Sequence, residues 1–143
     1  MALAMEQARA ARGRDEVPVG AVVVADDGRL WADGNRTRQL GSPGAHAEKL
    51  AMEAACAEIG DWRLSGCSLY CTLEPCLMCA GMAVLARVER IVYGAWDKRF
   101  GALGSVCNVL TMPRLNHYPQ VQGGVMADRS SALLRGFFRS HRE

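Results

Sequence analysis

Tyr70-Cys-Thr-Leu-Glu-Pro-Cys-Leu-Met-Cys-Ala-Gly81 is the stretch on which the reading of this chain turns. From Ser68 to Leu73 the pattern is that of a strand. A helix then runs to about Arg87, entered through Pro75, whose missing N–H is not needed at a first helical position. A strand passing directly into a helix predicts a layered α/β domain. The junction also carries two thiols, Cys76 and Cys79, spaced so that they share one face of a first helical turn. Upstream, His46 and Glu48 open another helical pattern, Ala45 to Ile59, which stops at Gly60.

The rest of the chain alternates in the same way. Leu3 to Arg12 reads as a first helix, and Val19 to Ala25 as a β-branched strand. Asp27-Gly28 is a hairpin turn before a strand at Arg29 to Gly34. Asn35 to Gly44 is a loop. Glu89 to Tyr93 reads as a fourth strand, followed by a long glycine-containing stretch, Gly94 to Gly104, of the length reserved for functional loops. A short strand near Val121 and a helix from Asp128 to Arg139 complete the pattern. With no repeat or linker, residues 1–143 are expected to form one domain.

Composition narrows the class. Half of the 143 residues are apolar and 22% are charged, an ordinary globular balance. No apolar run approaches the roughly 20 residues that span a bilayer, and no secretory signal is evident, so no membrane partner and a cytoplasmic location are expected. In that setting the six cysteines point to metal binding or reduced thiols rather than disulfides. Cys56 and Cys67 read as core or near-surface residues, and Cys107 is undecided. The net charge of +2 does not announce a nucleic-acid binder. Arg129, Arg135, Arg139 and Arg142 read on composition alone as a solvated helix face, as do Arg87, Arg90, Lys98 and Arg99.

One imidazole and two thiolates suit Zn²⁺, and three ligands rather than four leave a position open for water. His46, Cys76 and Cys79 are therefore the expected ligands of one Zn²⁺ per subunit, with a bound water or hydroxide as nucleophile. Both ligand segments fall at helix N-termini, where backbone N–H groups favour thiolates. Glu48 is the spare carboxylate, expected to shuttle protons as catalytic residue. A closed Cys₃His site recruiting Cys71 is the structural rival. Strand alternation puts Cys71 with Leu69 and Leu73 on a core face, so it is left out.

His-x-Glu ahead of Pro-Cys-x-x-Cys is the pattern of zinc-dependent base deaminases. The chain further resembles the bacterial tRNA-specific adenosine deaminases nearly end to end. The likeness runs through Glu16-Val-Pro-Val-Gly-Ala-Val, Gly34-Asn-Arg, Ala45-His-Ala-Glu, the Tyr70–Gly81 stretch, Tyr93-Gly-Ala, Gly104-Ser, Leu115-Asn-His and Leu133 to Arg139. This resemblance implies a three-layer α/β/α cytidine-deaminase-like fold with a mixed five-stranded sheet, and a homodimer. It implies hydrolytic deamination of adenosine to inosine at the wobble position of a tRNA anticodon stem-loop.

Position by position, the resemblance makes Asn35 the partner of the purine, with Ala47 also at the substrate. It makes Val17 and Pro18 an apolar wall for the flipped base. Asp97 matches a position near the ribose, where an acidic group suits a 2′-OH. Phe138 is expected to be the stacking member of the Phe137-Phe138 pair, since both rings cannot share a helix face. Gly44, Lys49, the loop Thr37 to Ser42 and Trp96 depart from the family pattern. A deaminase of a free base or nucleoside (guanine, cytosine or cytidine) is the alternative, because the same zinc site serves all of these.

Overall fold

The computed structural model describes residues 1–142. Helix α1 (Ala2–Gly13) is followed by β1 (Gly20–Val24), β2 (Leu30–Gly34), α2 (Ala47–Ile59), β3 (Ser68–Leu73), α3 (Leu77–Leu85), β4 (Arg90–Ala95), β5 (Gln120–Gln122) and α4 (Ala127–Ser140). The strands form one mixed sheet in the order β2-β1-β3-β4-β5. β1 pairs antiparallel with β2 and β3, while β3, β4 and β5 run parallel. α1 packs with α4, and α2 with α3, on opposite faces of the sheet. The expected three-layer mixed-sheet architecture is the one observed.

Side-chain alternation assigns the faces. Ala21 and Val23 of β1 join Leu69 and Cys71 of β3 in the core under Ala47, Ala51, Met52 and Ala55 of α2. On the other face α1 presents Ala4, Met5, Ala8 and Ala11, a small-residue stripe at helical spacing. That stripe lets the helix backbone lie almost on the sheet at the cross-strand pair Gly20 and Gly34. A Cβ on Gly20 would stand 2.0 Å from the Ala4 carbonyl oxygen, and one on Gly34 would stand 2.6 Å from that of Gln7. Only glycine permits this approach.

Most predicted elements appear within two residues of their expected ends. One boundary differs in kind. Pro75 is not the first residue of α3, because Cys76 is still extended and bridges to Gly101 before the helix starts at Leu77. The Pro75 carbonyl accepts the Ala102 N–H at 2.9 Å, so this residue belongs to a strand-like crossing rather than to the helix. In addition, Gly94 and Ala95 extend β4, and the long loop begins at Trp96.

Candidate active site

The site lies where β3 delivers the chain into α3, beside the N-terminus of α2. This is the carboxyl end of the parallel strands, where open α/β sheets form their binding crevices. His46 and Cys76 are the N-cap residues of α2 and α3, both extended, at φ −79° and ψ 148° and at φ −74° and ψ 175°. Extended backbone at His46 removes the helical divergence that would part it from Glu48. No side-chain cap satisfies the first-turn N–H groups at either helix, so both ends present positive dipole to the site.

The His46 Nδ1 atom lies 3.5 Å from the Cys76 Sγ and 3.6 Å from the Cys79 Sγ. All three donor atoms fall within 4.8 Å of one another. Tetrahedral zinc with Zn–S near 2.3 Å and Zn–N near 2.0–2.1 Å requires sulfur and nitrogen about 3.6 Å apart. The donor geometry therefore fits the ion. Cys71 stays outside the set, fully buried with its thiol toward the Val92 carbonyl. Cys67 is buried, Cys56 half-buried and Cys107 exposed.

The electrostatics of the donor set suit a cation at this point. The Cys79 thiol beside it, then the His46 ring, hold the Cys76 thiol down at about 4. Its partner Cys79 is pushed up, first by that same hydrogen bond to Cys76 and then by burial. Two adjacent thiols share one proton unless a dication sits between them. Hydrogen bonding to Cys76 raises His46. Burial raises Glu48, which is 4% exposed and whose Oε1 is sealed from solvent with no hydrogen-bond partner. An orphaned buried carboxylate oxygen is costly unless something absent from the protein itself meets it.

A cavity of about 1340 Å³ opens over these groups. Val17, Asn35, Asp97 and Phe138 line it, as the family pattern implies. Asn35 is nearly buried, and no protein group hydrogen-bonds its side-chain amide among the described residues. Phe137 is core at 5% exposure and Phe138 is 47% exposed at the cavity, as expected of a Phe-Phe pair. The Asp97 carboxylate already caps its own loop through the Arg99 and Phe100 N–H groups, at 2.9 and 3.2 Å.

Two of the expected substrate contacts are not on the cavity lining. Pro18 is fully buried and does not face the cavity; Val19 lines it beside Val17. A three-residue turn centred on Pro18, closed by the Val19 N–H on the Val17 carbonyl at 2.8 Å, gives the cavity its two flanking valines instead. The Ala47 side chain is likewise fully buried in the core under α2 and offers the cavity no surface. The terminal arginines are more than a solvated face, because Arg135, Arg139 and Arg142 line the cavity with Arg99 opposite.

Two further carboxylates shape the rims. Glu74, 2% exposed, accepts the N–H groups of Asp97 (3.2 Å), Leu103 (3.0 Å) and Ser105 (3.1 Å) as well as the Ser105 hydroxyl. It thereby holds the loop after β4. Glu16, equally buried, accepts the N–H groups of Arg38 (3.2 Å) and Gln39 (2.7 Å) and holds the loop after β2. Sequence reasoning assigned neither a role. The available signal was an acid beside proline-containing, otherwise apolar segments.

The profile of the cytidine and deoxycytidylate deaminase zinc-binding region matches residues 1–95. The tRNA-specific adenosine deaminase of Agrobacterium fabrum (strain C58 / ATCC 33970) is 45% identical over 99% of this chain and 93% of its own length. A solved structure from studies of A-to-I editing by tRNA:A34 deaminases superposes with a TM-score of 0.90 at 45% identity, covering 94% of this chain and 97% of that one. A guanine deaminase structure from Nitrosomonas europaea reaches 0.80 at 29% identity, covering 95% and 81%. The chain belongs to the cytidine and deoxycytidylate deaminase zinc-binding family and, within it, to the family of the tRNA-specific adenosine deaminases.

Proposed function

We propose that the protein hydrolyses adenosine to inosine at the wobble position of a tRNA anticodon, releasing ammonia, with residues 1–143 acting as one catalytic unit. The observation that carries the chemistry is the orphaned Glu48 oxygen beside a three-donor set with tetrahedral zinc spacing. His46, Cys76 and Cys79 hold one zinc per subunit. When bound, zinc lowers the pKa of a water from 15.7 to about 7 and so supplies a nucleophile at neutral pH.

Glu48 takes a proton from the attacking water and delivers it to the purine N1. The hydroxyl now on C6 gives its proton to Glu48, which passes it to the amine as the C6–N bond breaks, so ammonia leaves and C6 becomes a carbonyl. Asn35 presents its unpaired amide to the purine edge, Val17 forms the apolar wall, and Asp97 accepts from a 2′-OH with the oxygen its loop leaves free. Phe138 stacks on a base of the substrate strand. The relatives' names and the Arg-lined cavity support RNA, and the cavity exceeds the roughly 300–1,000 Å³ typical of small-molecule pockets.

A homodimer completes the reading. The nine residues of α3 contain no charged side chain, yet Leu77 and Leu85 are more than half exposed, which supports a covered apolar face. Among the described residues no helix is long and apolar enough to cross a membrane. The cytoplasm suits both a tRNA substrate and thiolate ligands that must stay reduced. The test compares inosine formation on an anticodon stem-loop bearing wobble adenosine with ammonia release from guanine and cytidine. Faster turnover of either free compound replaces this reading with the free-base alternative. A monomer in sedimentation at micromolar concentration would remove the dimer.

A further inference from the structure

Trp96 is the first residue after β4 and the largest exposed side chain on the cavity wall, at 57% exposure. Exposure here does not mean freedom. Gly123 and Gly124, in the turn between β5 and α4, form a flat floor beneath Tyr93 and Trp96. A Cβ on Gly123 would stand 2.5 Å from the Tyr93 ring, and one on Gly124 would stand 2.9 Å from the Trp96 indole. Gly124 also takes a positive φ of 89°, and its N–H is fixed to the Gly94 carbonyl at 3.1 Å. The indole therefore rests on glycine backbone and turns its remaining surface to the cavity.

The two rims of that cavity carry matching chemistry. The β4 loop brings Trp96, Arg99 and Phe100, and α4 brings Arg135, Phe138 and Arg139. Aromatic surfaces interleaved with guanidinium groups are what a single strand of nucleotides requires, with bases on the rings and phosphates on the arginines. Glu74 holds the loop that follows Trp96, so the surface is preformed and little ordering entropy opposes stacking.

We propose that Trp96 is a base-stacking platform for a nucleotide adjacent to the target adenosine, a contact separate from the pocket that holds the reacting base. The proposal rests on the RNA reading above. It makes Trp96 a determinant of how tightly the strand is held rather than of the chemical step. Because stacking needs a π-face, an aromatic replacement preserves it and an aliphatic one of similar bulk does not.

The test uses the full-length zinc-loaded enzyme and an anticodon stem-loop with wobble adenosine. Trp96→Leu is expected to raise KM about tenfold with the loss confined to KM, while Trp96→Phe stays within about threefold of wild type. Each nucleotide flanking the target is then replaced in turn by an abasic residue. One of these replacements should weaken the wild type about as much as Trp96→Leu does and leave Trp96→Leu itself unaffected, the pattern of two partners in one contact. Multiplying effects, a Trp96→Leu enzyme within twofold of wild type, or a change in sedimentation with KM intact would each overturn the platform. A wild-type enzyme that makes no inosine on the stem-loop instead brings down the RNA reading, and this proposal with it.

Discussion

Glu74→Gln tests whether a buried carboxylate builds the wall of the site. The native carboxylate accepts four hydrogen bonds, three from the N–H groups of Asp97, Leu103 and Ser105 and one from the Ser105 hydroxyl. A glutamine offers one acceptor oxygen, so in either orientation its NH₂ faces at least one backbone N–H. At Oε2 it would meet the Leu103 and Ser105 N–H groups, and at Oε1 the Asp97 N–H and the Ser105 hydroxyl. With the NH₂ at Oε2, two bonds to a charged acceptor are lost. At Oε1 only the Asp97 bond is lost, because the Ser105 hydroxyl can turn and accept, so the smallest loss is one bond worth about 1.5–3 kcal/mol.

The neutral amide recovers part of that loss, because it is cheaper to bury than a carboxylate. The expected net destabilisation is about 1–2 kcal/mol, measured by urea unfolding of the zinc-loaded protein. Ser105→Ala, which removes only the hydroxyl contact, should cost about 1 kcal/mol. The released loop carries Trp96, Asp97 and Arg99, so the KM for a stem-loop substrate should rise along with the loss of stability. A Glu74→Gln protein within about 0.5 kcal/mol of wild type, with the same KM, would refute the reasoning.

Glu48→Gln should keep full zinc content by elemental analysis and lose at least about a hundredfold in kcat; retained turnover would remove Glu48 as the proton carrier. Zinc withdrawal by a chelator should lower Tm, and zinc but not magnesium should restore it, because two thiolates and an imidazole are poor magnesium ligands. At the far end of α4, His141 is raised by its hydrogen bond to Asp15, then by the Phe137 carbonyl, with Arg38 opposing. Asp15 is lowered, chiefly by the same His141 bond. The raised histidine contributes stability below its unfolded value near 6.5, lost as pH rises through the folded value; the lowered aspartate contributes above its unfolded value near 3.9, lost as pH falls. Protection factors of the last-turn amides of α4, with the base-catalysed intrinsic rate divided out, should therefore be highest between those limits and fall above neutrality, and Asp15→Asn should flatten that trend. Asp97→Asn should narrow the activity ratio between RNA and DNA stem-loops; an unchanged ratio would detach Asp97 from the 2′-OH.

The layered α/β class and the separate ligand segments were legible in the sequence because both depend on short-range spacing, whereas the three-layer mixed sheet was what the family resemblance implied. Two cysteines on one helical turn, a histidine before another helix, and strand-helix alternation are local patterns, and local backbone geometry enforces them. Cys71 was placed correctly in the core by alternation alone, and Phe137 and Phe138 were parted by the helical repeat. Position by position, the resemblance brought in Pro18 and Ala47 as cavity residues. In the fold one sits at the centre of a tight turn and the other packs into the core, so neither side chain lies on the cavity lining.

Long-range packing decided what spacing could not. That Glu74 would gather donors from a loop some thirty residues away, or Glu16 donors from beyond β2, depends on where the sheet brings those loops. The terminal arginines read as a solvated face in the sequence because their charge is plain there and their direction is not. Only the packing of α4 against α1 and β4 turns three of them into the cavity. The same holds for Trp96, in the sequence only a departure from the family pattern. Two glycines from another part of the chain seat it, and the tertiary fold alone brings them beneath its ring.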